Sequence, residues 1–105
     1  MQILIITASR DEVERLNLRI MNKLAVFCPY VTYYSKYLIC IRPGIEILFK
    51  PAQAGYVRAM YPDYYWTNSR DADNYFKHRG IKKLNTFSEI ARVVLDEYMS
   101  KTKEE

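Results

Sequence analysis

Two pentamers, Thr7-Ala8-Ser9-Arg10-Asp11 and Thr67-Asn68-Ser69-Arg70-Asp71, share the pattern T-x-S-R-D and agree at four of five positions. Each follows an apolar run and precedes a helical pattern. A serine hydroxyl, the unpaired N–H groups of a helix start and a guanidinium together make a donor set that suits a phosphate or carboxylate. Ser9, Arg10, Ser69 and Arg70 are therefore the candidate anion-binding residues. A plainer reading stands beside this one: serines with nearby acids suit any helix start, and the arginines would pair with Asp11, Asp71 or solvent.

Chemistry beyond anion binding finds little support. The loop after the first apolar run has neither G-x-G-x-x-G nor G-x-x-x-x-G-K-[ST], which argues against ATP hydrolysis. Asp63 precedes its apolar run, at the end opposite the one where a magnesium-holding carboxylate is expected. The single histidine, His78, stands between Lys77 and Arg79 near a helix end and reads as solvated. Cys28 and Cys40 fall in no zinc-like spacing and read as buried apolar fillers. With no nucleophile and base to pair, the expectation is a non-enzymatic protein needing no cofactor and no metal.

Charge and aromatic placement carry the remaining signal. The net charge is +4, and from Arg15 to Arg58 seven basic residues face Glu46 alone. Within this stretch Arg15, Arg19 and Lys23 recur every four residues, a cationic row on one helix face. Like charges so spaced repel mildly, so the row is either tolerated on a solvated surface or kept for an anionic partner such as nucleic acid. Eight of the ten tyrosines cluster around Lys36 and Arg58. Aromatics mixed with cations stack bases, anchor protein interfaces or sit half-buried in a core. Tyr33 and Tyr34 are the candidate aromatic interface.

The elements that must position these residues are legible from periodicity. Ile3 to Ile6 form a continuous β-rich run, the mark of a strand over Gln2–Thr7 covered on both faces and central in a parallel sheet. Ser9 and Glu12 have capping-box spacing, and Val13, Leu16, Ile20, Leu24 and Phe27 follow at helical steps, ending before Pro29. Val31–Tyr34, Tyr37–Arg42 and Ile45–Lys50 are rich in strand formers, with a hairpin expected across Pro43-Gly44. The stretch 51–60 reads as a loop with at most a helical turn. An aromatic strand over Asp63–Thr67 leads to a helix capped by Asn68 or Ser69 and stopped by Gly80. A short edge strand over Ile81–Leu84 precedes a helix opened by Thr86 and Glu89, with Phe87, Ile90, Ala91, Val94 and Tyr98 as its buried stripe.

The segment from Arg58 to Ile90, RAMYPDYYWTNSRDADNYFKHRGIKKLNTFSEI, resembles the closing part of small uncharacterised proteins of prophages and mobile elements. Those proteins are similar to P-loop-type α/β folds without the P-loop. The resemblance covers about a third of the chain and implies a mobile-element origin and a degenerate nucleotide-binding fold, with no functional residues attached.

The expected architecture is one α/β domain over 1–105, a three-layer Rossmann-like fold with a short, partly parallel mixed sheet and about three helices. With no run near the roughly 20 apolar residues of a membrane span and no leader-like start, the expected address is cytoplasmic, away from membrane. The expected function is an accessory protein binding nucleic acid or an anionic protein surface through Arg15, Arg19 and Lys23. Two alternatives are a protein-interaction regulator using the tyrosine-rich surface, and a phosphate-ligand domain at the two T-x-S-R-D junctions.

Overall fold

A computed structural model describes residues 1–25, 31–41, 44–52, 57 and 59–103, with side chains for all of these but 25, 31–34 and 101–103. Six strands form one sheet: β1 (Gln2–Thr7), β2 (Val31–Ser35), β3 (Leu38–Ile41), β4 (Ile45–Pro51), β5 (Tyr64–Thr67) and β6 (Lys82–Lys83). Among the described residues three helices flank it: α1 (Asp11–Ala25), α2 (Arg70–His78) and α3 (Phe87–Lys103). The strand order is β2-β3-β4-β1-β5-β6. β1 lies between β4 and β5 and runs parallel to both, β6 continues parallel to β5, and β3 alone runs against β4 and β2.

The centre of the sheet is β1 because Ile3, Leu4, Ile5 and Ile6 have no polar side to offer solvent, and all four are fully buried. Alternation sends them to two different cores. Ile3 and Ile5 join Val13, Ile20 and Leu24 of α1, Ile90 and Val94 of α3, and Ile39, Ile41, Ile45, Ile47 and Phe49 of β3 and β4. Leu4 and Ile6 join Val57, Tyr65, Ala72 and Phe76 on the other face, beneath α2. The molecule is thus a three-layer α/β structure, with α1 and α3 on one side of a mixed sheet and α2 on the other.

Local signals set the ends of the helices. α2 opens with Ser69 as its cap, whose Oγ accepts the Ala72 N–H at 3.5 Å, and Asp71 and Asp73 lie in its positive first turn. It closes where Gly80 adopts φ +74°. There the Gly80 N–H donates to Lys77 O at 3.1 Å and the Ile81 N–H to Phe76 O at 3.3 Å, the paired bonds of a Schellman end. Ile81 then packs against the same core as Phe76. α3 opens at Thr86, whose Oγ1 accepts the Glu89 N–H at 3.1 Å, while the Glu89 carboxylate reaches back to the Asn85 N–H at 2.9 Å. The expected box thus forms with its return bond one residue earlier.

Some expectations shift. The expected pair of Tyr37–Arg42 with Ile45–Lys50 appears as β3 and β4, and a second hairpin joins β2 to β3 through the turn at Lys36-Tyr37. Cys40 is half-buried rather than a fully enclosed filler, since β3 buries only Ile39 and Ile41 fully under α1. Burial, and then the Glu46 carboxylate, push its thiol pKa up. The side chains of Tyr33 and Tyr34, with Cys28 and Arg58, lie outside the described residues. Among the described residues, no helix is long and apolar enough to cross a membrane, and no group of histidine, cysteine and acidic residues could hold a metal ion.

Candidate anion-binding edge

The parallel strands β4, β1, β5 and β6 all end on one side of the sheet, and the β2–β3 turn lies on that side too. From β1 the chain leaves through α1 on one face to reach β2 at one border. From the neighbouring β5 it leaves through α2 on the other face to reach β6 at the opposite border. Adjacent parallel strands whose connections diverge create the crevice in which open α/β sheets take their ligands. Both pentamers lie at this point, because Ile6 and Thr67 are register partners.

The two junctions share an edge but not a local structure. At the second, the Thr67 hydroxyl accepts the Ser69 N–H at 2.9 Å and Ser69 caps α2. At the first, the Thr7 hydroxyl donates to the Ser9 carbonyl at 2.7 Å, and α1 begins only at Asp11. Among the described residues the Ser9 hydroxyl makes no hydrogen bond, so the expected box with Glu12 does not form. Glu12 turns elsewhere: its carboxylate accepts from Asn68 Nδ2 at 3.0 Å and faces Arg15 at 3.7 Å.

Asn68, the variable position of its pentamer, proves to be the residue that joins the junctions. Its Oδ1 accepts the Ala8 N–H at 2.7 Å across the crevice. The backbone donor nearest the centre of the switch point is therefore already engaged, with the Glu12 carboxylate beside it. A small phosphate would meet an occupied N–H and a negative charge there. Arg10 and Arg70 are exposed, and among the described residues neither forms an ion pair with Asp11 or Asp71. They stand at the starts of helices on opposite faces and so flank the crevice.

A second set of cations shares this edge. Lys50, near the end of β4, is the register partner of Ile6, and the β2–β3 turn carries Lys36 and Tyr37. Tyr37 is 44% exposed. The Lys36 and Lys50 ammonium groups lie 5.5 and 5.9 Å from the centre of its ring. The tyrosines around Lys36 are legible in the sequence, but the pattern there points to Tyr33 and Tyr34 rather than to Tyr37. The pairing of β3 with β4, which brings Lys50 to the same place, leaves no local signal.

The cationic row on α1 has a different employment. Arg15 faces Glu12, the Arg19 guanidinium lies 4.6 Å over the Phe87 ring, and Lys23 Nζ donates to Ser88 Oγ at 3.1 Å. Arg19 and Lys23 thus tie α1 to the start of α3, and the stems of these exposed side chains lie along a helix-helix seam.

Tyr65, Asp73 and Lys83, which no local pattern brings together, form a polar network under α2. The buried Tyr65 hydroxyl donates to Asp73 Oδ1 at 2.8 Å, and Asp73 Oδ2 pairs with Lys83 Nζ at 3.1 Å. Burial, then the bond to Asp73, raise the Tyr65 pKa, whereas the Tyr65 bond, then Lys83, hold the Asp73 carboxyl below its ordinary range despite partial burial. Tyr65 and Lys83 are register partners on β5 and β6, so this is a clamp between sheet and helix.

Among the surface hollows of the described residues, one of about 450 Å³ lies at the opposite edge between Asp63, Tyr64, Lys82 and Glu97. Another, about 180 Å³, lies beside the α2 start, with Ser69, Asp71 and Tyr75 in its wall. Asp71 gives the second a charge opposed to an anion. Comparison with protein-family models, curated proteins and solved structures finds no match, so the likeness of 58–90 to mobile-element proteins remains a reading of the sequence.

Proposed function

We propose that this protein is a non-enzymatic accessory domain that binds nucleic acid along the carboxyl edge of its sheet. The observation that carries the reading is the placement of Arg10, Lys36, Lys50 and Arg70 along one edge of the sheet, the edge on which the connections from β1 and β5 diverge. An extended polyanion suits this arrangement better than a compact phosphate does. The four cations are spread along the edge, while the crevice centre is closed by Asn68 and bordered by Glu12.

The reading moves the expected contact surface. Arg15, Arg19 and Lys23 have partners within the fold and contribute to the general positive field, which steers an anionic chain toward the protein. Phosphate contact releases counterions, so affinity for a labelled oligonucleotide should fall linearly on a log scale with salt, by about 0.7 per phosphate contacted on a single strand. Four contacts correspond to a slope of about −3. Absence of binding at low salt would contradict the proposal.

A further inference from the structure

Resting on the nucleic-acid reading, the geometry points to a nucleotide subsite at Tyr37 that selects single strands, with the phenol ring stacking a base and Lys36 and Lys50 taking the flanking phosphates.

An unpaired base needs an accessible aromatic face held in one place, with cations near enough to meet the backbone on either side. Tyr37, on this edge, is one of four large apolar side chains left widely exposed among the described residues, at 44%. The turn that carries it is held by bonds from β4, from Ser35 and from α1. The Phe49 N–H donates to Tyr37 O at 2.9 Å, and the Tyr37 N–H donates to Ser35 Oγ at 3.4 Å. From α1, Asn17 Nδ2 donates to both Ser35 O and Lys36 O at 3.0 Å.

Asn17 is only 1% exposed, and among the described residues its Oδ1 has no hydrogen-bond partner. A side chain buried at that cost, with both amide hydrogens spent on one turn, makes Asn17 a positioning residue for the turn. The platform is thereby ordered before any ligand arrives, which lowers the entropy lost on binding.

The two ammonium groups, at 5.5 and 5.9 Å, sit at the outer limit of attraction to the ring. A phosphate oxygen attracts an ammonium more strongly than an aromatic face does. A duplex keeps its bases stacked on one another and presents none to Tyr37, so the subsite discriminates against it.

The test uses the full chain with a fluorescent dT oligonucleotide and a duplex of equal length, read by anisotropy across a salt series. Tyr37→Ala should weaken single-strand binding at least about fivefold, with the salt slope unchanged, and Tyr37→Phe should retain affinity. Lys36→Ala and Lys50→Ala should each flatten the slope by about 0.7. Thermal melts of each variant separate lost binding from lost folding. Unchanged single-strand affinity in Tyr37→Ala, or a wild-type preference for the duplex, would overturn the subsite while leaving the nucleic-acid reading intact. Failure of the wild type to bind either probe at low salt would overturn both.

Discussion

Asn68 Oδ1 accepts the Ala8 backbone N–H at 2.7 Å, joining two strand-to-helix junctions that lie sixty residues apart in the chain. The same side chain donates to Glu12 at 3.0 Å, so one amide links β5 to both the end of β1 and the first turn of α1. This is the bond that shuts the crevice where the sheet's connections diverge.

Asn68→Ala removes both bonds while leaving the Ser69 cap of α2 in place. The site is exposed, and water replaces part of what is lost, so the expected cost is about 1 kcal/mol in urea unfolding at pH 7. Asn68→Asp keeps an acceptor for Ala8 but sets a carboxylate against Glu12. Its additional loss should disappear when Glu12→Gln is combined with it, a coupling that a double-mutant cycle reads directly.

The Tyr65–Asp73–Lys83 clamp predicts two pH limits of stability. Asp73 titrates lower in the folded chain than its ordinary 3.8, so its contribution is present above about pH 4 and is lost as pH falls through the folded value. Tyr65 titrates higher than its ordinary 10.0, so its contribution is complete below about pH 10 and is lost as pH rises further. Tyr65→Phe should cost about 1 kcal/mol at pH 7 and flatten the alkaline limb of a stability profile. Asp73→Asn should flatten the acid limb. Equal limbs in wild type and variants would refute the clamp.

Arg19 and Lys23 are expected to act in stability before binding. Arg19→Ala removes the guanidinium from the Phe87 ring and should cost about 0.5–1 kcal/mol. Its effect on the salt slope of oligonucleotide binding should be smaller than that of Arg10→Ala or Arg70→Ala, which alter neither core nor helix seam. A slope change in Arg19→Ala as large as theirs would return the contact surface to the face of α1.

What the sequence discloses here follows the range of the interaction. The run Ile3 to Ile6 announces a strand covered on both faces, and Ser69, Thr86 and Gly80 announce helix ends, because each signal lies within a few residues of its effect. Ser9 shows the limit even at short range. Its partner Glu12 has a competing bond to Asn68, and no local pattern reveals that competitor. The clamp of Tyr65 with Asp73 and Lys83, the seating of Arg19 on Phe87, and the meeting of Lys36, Tyr37 and Lys50 all depend on which strands pair and which helices share a face. The junctions at Arg10 and Arg70 were identifiable as a matched pair, but their common edge is a property of the order β4-β1-β5.

The most direct test of the carboxyl-edge account is the salt dependence of dT-oligonucleotide binding by the wild type and by Arg10→Ala/Arg70→Ala. The account predicts measurable wild-type binding at low salt with a log–log slope near −3, reduced by about 1.4 in the double variant without loss of thermal stability. No binding by the wild type, or a slope that the double variant leaves unchanged, would contradict it.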